Sequence, residues 1–225
     1  MLINYLKQIP LFAHLKDAQL KAIASQCKKV LFKKGSVIFQ KTDMSTDLYI
    51  VDAGRLKAIL SDDEGDEIVL AQFDKGAFFG ELSLLDGKGR SATIVTDSDS
   101  ELSVLSQADF LELLSKDPKI AIALMTTLVE RLRKADEKIE SLAFQEVSER
   151  LIRALLDGAK HDDSGSKGFL KRAKLTHKEL SGMIGSSREA VSKCMKLLAA
   201  SGIVKESNGQ FLIAENALEQ LKHRP

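Results

Sequence analysis

With 225 residues the chain has room for one large domain or two modest ones, and its 44% hydrophobic and 29% charged residues are ordinary proportions for a globular protein. No stretch approaches the roughly 20 consecutive apolar residues of a membrane helix, and MLINYLKQIP lacks the basic start, apolar run and cleavage site of an export signal. Cys27 and Cys194 alone cannot build a disulfide framework, so the expected compartment is the cytoplasm; the net charge of +1 conceals −3 over residues 1–143 and +4 over 144–225.

Residues 1–26 read as helical, with Leu2, Tyr5, Leu6, Leu20 and Ile23 at helix-like spacings and a break around Pro10. From Lys28 to Ser106 the texture changes to short β-prone runs (VLF, SVIFQ, DLYIV, LKAIL, EIVLAQF, ATIVT, ELSVL) separated by glycines. Such runs predict an antiparallel sandwich or barrel rather than βαβ units. The acidic stretch Ser61–Glu67 reads as a solvated hairpin turn between two of them.

Within this zone GAFFGELSLLDGKGRSATIVT, residues 76–96, gathers groups suited to an anion. Gly80 permits close backbone approach, and a helical turn beginning near Glu81–Leu82–Ser83 offers free N–H groups. Arg90 supplies a guanidinium fork for phosphate and Ser91 a hydroxyl, while Glu81 suits a sugar hydroxyl. The same residues also allow a plain Glu81–Arg90 ion pair across a loop.

Pro118 to Phe144 contains no further glycine or proline, and Ala121, Met125, Leu128, Leu132, Ala135, Ile139 and Leu142 alternate in steps of four and three. That spacing predicts a narrow seam for pairing with a second copy, burial within the chain being the alternative. Phe144–Ala159 follows as an amphipathic helix carrying Val147, Leu151, Ile152, Leu155 and Leu156, and Gly158–Gly168 is loop-like in composition. The domain boundary is expected near Ala143–Gln145.

Residues 176–200, THKELSGMIGSSREAVSKCMKLLAA, hold two capping-box patterns, Thr176 with Glu179 and Ser186 with Glu189, around Gly182 and Gly185. They predict a helix-turn-helix. In its second helix Ala190, Val191, Cys194, Leu197 and Leu198 fall on one side, and Arg188, Glu189, Ser192, Lys193 and Lys196 on the other. Arg188 suits guanine O6 and N7, and Glu189 a cytosine amino group; Lys193 suits a base or a phosphate, and Lys174 and Lys178 the backbone. Eight basic residues between Lys167 and Lys196 fit a polyanion footprint, as they also fit a solvated face. GIVKESNGQFLIAE then reads as a hairpin wing turning at Asn208-Gly209.

Taken in order, the β-rich segment with FGEL…GRSA, the seam helix ending in LAF at 142–144, SSREAVSK and the wing resemble the cyclic AMP receptor/FNR superfamily over nearly the whole chain. The resemblance implies an α+β protein: an effector-binding β-roll with N-terminal helices (1–117), a dimerisation helix (118–143) and a winged helix-turn-helix (144–225). It implies that Gly80, Glu81, Leu82, Ser83, Arg90 and Ser91 hold the cyclic phosphate and ribose. It further implies that Lys178, Ser187, Arg188, Glu189, Ser192 and Lys193 meet DNA, with Lys193 standing where the cyclic AMP receptor has a second arginine. Two base-contacting hydroxyls of that receptor are replaced by Ala135 and Asp136. The phosphate end thus matches the family, and cyclic AMP is expected first; Asp136 suits a guanine edge better than adenine, which places cyclic GMP and cyclic di-GMP behind it.

The expected protein is thus a homodimeric, allosteric transcription activator with double-stranded DNA and RNA polymerase as partners, no membrane and no cofactor beyond the allosteric ligand. An effector-free regulator of the same fold, and a nucleotide-binding subunit docking a protein, stay open beside it. Neither a metal site nor a catalytic site is expected, since His14, His161, His177 and His223 show no ligand spacing and no nucleophile motif occurs.

Overall fold

The computed structural model describes residues 6, 7, 9, 11–63, 65–161 and 168–222. Leu2, Tyr5, Pro10, Lys167, His223 and most of the expected 158–168 loop lie outside them. The chain divides into two compact units, residues 1–60 with 69–135, and residues 61–68 with 136–225.

Around the expected break at Pro10 the described residues of the first unit form turns. Three-residue hydrogen bonds, Phe12 N to Ile9 O and Leu15 N to Phe12 O, fold residues 9–15 so that Leu11, Phe12 and Leu15 are all buried. Helix α1 (Asp17–Gln26) follows and buries Leu20 and Ile23, the spacing read from the sequence. The β-prone runs become β1 (Lys28–Phe32), β2 (Val37–Phe39), β3 (Leu48–Ala53), β4 (Arg55–Ser61), β5 (Glu67–Asp74), β7 (Thr93–Thr96) and β8 (Ser100–Leu105). The helical turn expected near Glu81–Leu82 is helix α2 (Glu81–Asp86), whereas strand β6 (Phe78–Phe79) carries no sequence signal, being too short to alternate.

The strands form two antiparallel four-stranded sheets, ordered β1-β8-β3-β6 and β2-β7-β4-β5. One core lies among the strands: Phe39, Val51, Leu56, Phe73, Phe79, Ile94 and Leu102, with Tyr49 stacked on Phe79 at 5.1 Å. A second joins Leu48, Ile50 and Leu105 of the first sheet to α1, to α3 (Gln107–Lys116) and to the start of α4 (Pro118–Phe144). Helix α3 was not anticipated; Ser106 caps it by accepting from Asp109 N, and Phe110 anchors it.

Helix α4 is one continuous 27-residue helix over the residues read for it. Its exposed apolar row differs from the expected seam. Ile122, Met125, Val129, Leu132, Ile139 and Leu142 are exposed, whereas Leu128 packs partly against its own unit's core. The reason is geometric: near its start the helix must spend one face on Ile120 and Leu124, which turns the free face by about one residue.

In the second unit α5 is shorter than expected (Val147–Leu156), and the stretch read as a loop contains strand β9 (Lys160–His161). The remaining elements are β10 (Phe169–Ala173), α6 (His177–Ile184), α7 (Arg188–Ala200), β11 (Val204–Ser207), β12 (Gln210–Ala214) and α8 (Ala217–Lys222). Strands run β11-β12-β10-β9, all antiparallel. The wing is present: Ser207 pairs with Gln210, and Asn208 and Gly209 take φ of 50° and 70°, as a two-residue primed turn requires. Leu151, Ile152 and Leu155 of α5, Leu180 and Ile184 of α6, and Val191, Met195 and Leu198 of α7 pack with Phe211 and Ile213. Two details of the helix pair correct the sequence reading. Helix α7 is capped by Ser187, which accepts from Ala190 N, not by a Ser186–Glu189 box. Its buried side uses Met195 and leaves Leu197 exposed.

Candidate effector pocket and nucleic-acid interface

In the first unit, Gly80 caps α2 at φ +89°, and a Cβ there would lie 2.6 Å from Asp47 O and 2.7 Å from Arg90 Nη1. Only glycine lets this turn close against Arg90. The Arg90 backbone is held by Thr42 N donating to its carbonyl and by its own N–H on Asp43 O. Its side chain is 2% exposed and donates from Nε to Ser45 Oγ, from Nη1 to Gly80 O and from Nη2 to Asp47 O, each at 2.9 Å. The guanidinium lies 4.2 Å from the Phe39 ring centroid. Burial pushes its pKa down, against the opposing pull of Tyr49, Asp47, Glu81 and Asp43. Of the five N–H donors of an arginine, three are so used and two remain for an anion.

Glu81, 3% exposed, does not pair with Arg90. Its Oε1 meets Arg131 Nη1 of α4 at 2.6 Å, and Arg131 also donates to Phe78 O and lies over the Phe73 and Phe78 rings. Of the alternatives left open by the sequence, the Glu81–Arg90 pair is absent among the described contacts. Sequence reasoning missed Arg131, Ser45 and Asp47: Arg131 looks like any solvated helical cation, and residues 43–47 have no periodic pattern. Ser83 is buried beside Glu81, while Leu82, Ser91, Ala135 and Asp136 are exposed. The structure therefore brings Gly80, Glu81, Ser83 and Arg90 into one buried cradle. It forms no hydrogen bond that would fix Ser91, Ala135 or Asp136 there.

In the second unit, Thr176 and Glu179 form the expected capping box on α6, and Gly185 ends that helix at φ +62°. Arg188, Glu189, Ser192, Lys193 and Lys196 of α7 line an open groove of about 430 Å³ together with His177 of α6. His177 Nδ1 is 2.7 Å from Ser192 Oγ. This contact crosses the turn between the helices, and no local pattern announces it. Lys178 pairs with half-buried Glu67 at 3.3 Å and Lys174 with exposed Glu206, so the two lysines expected on the DNA backbone hold carboxylates here. Exposed pairs of this kind contribute about 0–1 kcal/mol and yield readily to phosphate.

The carbonyl end of α6 is held by two cations. Lys138 of α4 donates to Met183 O, and Arg150 of α5 donates to Ile184 O at 3.1 Å and Gln145 O at 2.8 Å. Both neutralise the negative pole of that helix. Burial, then Arg150, pushes the Lys138 pKa down.

No helix among the described residues is long and apolar enough to cross a membrane, and no cluster of His, Cys, Asp and Glu there is arranged to hold a metal ion.

Both units match families of known proteins. Residues 29–117 match the cyclic nucleotide-binding domain family, and residues 149–223 the Crp-like helix-turn-helix domain family. The cyclic AMP receptor protein of Thermus thermophilus is 34% identical over 213 residues, 95% of this chain and 96% of that one. The cAMP-activated global transcriptional regulator Vfr of Pseudomonas aeruginosa is 31% identical over 193 residues, covering 84% and 90%. Among solved structures, the c-di-GMP responsive global regulator CLP of Xanthomonas campestris superposes with a TM-score of 0.77 at 25% identity, covering 88% of this chain and 99% of that chain. These relatives are regulators of transcription rather than enzymes. The chain belongs to the cyclic AMP receptor/FNR family of DNA-binding, cyclic-nucleotide-binding transcription regulators.

Proposed function

We propose that this regulator acts as a homodimer on a near-palindromic site and is switched by a cyclic nucleotide held at Arg90. Residues 1–117 form the effector domain, 118–143 the dimerisation helix and 144–225 the DNA-binding domain. The two spare N–H groups of Arg90 and the N–H groups of Leu82 and Ser83, which precede the first helical bond of α2, take the cyclic phosphate. Glu81, engaged by Arg131 through Oε1, keeps Oε2 for a ribose hydroxyl. Leu82 and Ser91 close the rim. The carrying observation is the Gly80 cradle, which holds a buried, still cationic Arg90 against two backbone carbonyls.

Cyclic AMP is the first choice of ligand, on the strength of the relatives named for it. A guanine ligand, cyclic GMP or cyclic di-GMP, is the second. The observation favouring it is Asp136, an exposed carboxylate in place of a base-contacting hydroxyl, alongside the likeness to a c-di-GMP responsive regulator. The exposed row Ile122–Met125–Val129–Leu132–Ile139–Leu142 suits a second copy of α4. Arg188, Glu189 and Lys193 read bases; Ser187, Ser192 and Lys178 hold the backbone. Cytoplasmic residence, activation and contact with RNA polymerase follow from the family reading.

A thermal melt with each nucleotide tests the pocket. The effector should raise Tm, and Arg90→Ala should remove the rise, on top of a lower unliganded Tm from the partners it leaves at Ser45, Gly80 and Asp47. A rise that survives in Arg90→Ala would place the ligand elsewhere.

A further inference from the structure

Among the described residues, two that are not glycine take positive φ, Asn208 and Thr42. Asparagine tolerates that conformation in a turn, whereas Thr42, at φ 75°, carries a branched Cβ and is strained by it. Asp43 N donates to Gln40 O at 3.2 Å and Gln40 N to Asp43 Oδ2 at 2.8 Å. They close a four-residue turn in which positive φ at the third position calls for glycine or asparagine. Among the described contacts, the exposed Thr42 side chain donates only to the neighbouring Lys41 O, so packing does not account for a threonine there.

The strained turn begins the loop that grips Arg90. Thr42 N donates to Arg90 O at 2.8 Å and Arg90 N to Asp43 O at 2.9 Å, while Ser45 Oγ and Asp47 O accept from the guanidinium. Thr42 and Gly89 meet backbone to backbone: a Cβ on Gly89 would lie 2.9 Å from Thr42 O and 3.1 Å from Thr42 Cα. A return of Thr42 to negative φ swings its peptide groups away from residues 89–90 and releases both backbone bonds.

We propose that Thr42 is a positioning residue that sets effector affinity through this strain: it keeps the grip on Arg90 near balance between open and closed, and the nucleotide closes it. The inference rests on the reading of Arg90 as the phosphate anchor. The opposing effects are of the same order. The left-handed conformation disfavours the closed turn by a factor of about 5 to 30, and each of the two backbone bonds favours it by about 2 to 13. A ligand that needs the gripped Arg90 binds the closed form, so its apparent affinity falls with the fraction of chains that are open.

Isothermal titration calorimetry of the intact protein with cyclic AMP, cyclic GMP and cyclic di-GMP, each in turn, tests this. Thr42→Gly removes the strain, while the extra freedom of glycine in the open loop returns a factor of about two to five. The variant should thus bind the nucleotide that the wild type binds on the order of three- to tenfold more tightly. Thr42→Val, which keeps the branched Cβ and loses the hydroxyl, should show no such gain. Hydrogen exchange over residues 40–47 gives a reading that stability alone does not move. It should slow on adding nucleotide to the wild type, and be slow beforehand in Thr42→Gly. A Thr42→Gly chain with a raised Tm but unchanged or weaker nucleotide binding would overturn the proposal, because the grip would then be closed in the free protein too. A gain shared by Thr42→Val would overturn it as well, by tracing the effect to the hydroxyl. A wild-type chain that binds none of the three, or binds equally well as Arg90→Ala, would instead overturn the Arg90 assignment beneath it.

Discussion

Arg90 illustrates how much work a single side chain does once its surroundings are counted. Its charge is buried, its three used donors meet one hydroxyl and two backbone carbonyls, and its position depends on the missing Cβ of Gly80. Gly80→Ala should cost at least about 1–2 kcal/mol from the left-handed backbone alone, before the 2.6 Å clash with Asp47 O is relieved. Denaturant unfolding would measure that loss, and nucleotide affinity should fall with it; an unchanged midpoint would mean that the loop relaxes freely. In the second unit Arg188→Ala should cost about 1–3 kcal/mol at a cognate site and relax the preference for guanine there. Equal loss on random duplexes would reduce Arg188 to a backbone contact. The cysteines give a simpler expectation. Burial pushes the Cys27 thiol up to about 11 and the Cys194 thiol up as well, so both should resist alkylation near pH 8 in the native protein and react on unfolding.

At the scale of elements, legibility in the sequence followed the strength of the local signal. The Asn208-Gly209 turn, the Thr176–Glu179 cap and the unbroken Pro118–Phe144 helix were readable because turn chemistry, capping and periodicity are local. Thr176→Ala should accordingly destabilise the second unit by about 1 kcal/mol in thermal unfolding. Strand β6 was not readable because two residues cannot alternate; helix α3 was missed although Ser106 with Asp109 ahead of an apolar run is a local capping signal. The seam on α4 was legible as a helix face: Met125, Leu132, Ile139 and Leu142 are exposed, while Leu128 packs partly on the core and Ile122 and Val129 join the exposed row. Arg131 and His177 escaped because each meets a partner 50 or 15 residues away. The exposed row that remains makes its own prediction. Leu132→Glu, at a position 62% exposed in the single chain, should leave that chain folded but shift it to monomer in analytical ultracentrifugation. A variant that sediments as the wild-type dimer would move the interface off α4.

For the whole molecule the account turns on helix α4, which runs from the first unit into the second. Arg131 ties it to Glu81 in the effector cradle, and seven residues later Lys138 ties it to the carbonyl end of α6. A ligand changes DNA binding only through its unequal affinity for two arrangements of the protein, and typical couplings of about 1–3 kcal/mol correspond to five- to 150-fold in affinity. The direct measurement is duplex affinity of the intact protein, on a site selected with the wild-type chain, titrated separately with cyclic AMP, cyclic GMP and cyclic di-GMP. One of the three should change the dissociation constant by at least about fivefold in the wild type and leave Arg90→Ala unmoved. Identical affinity with and without every one of them would contradict a nucleotide-gated regulator.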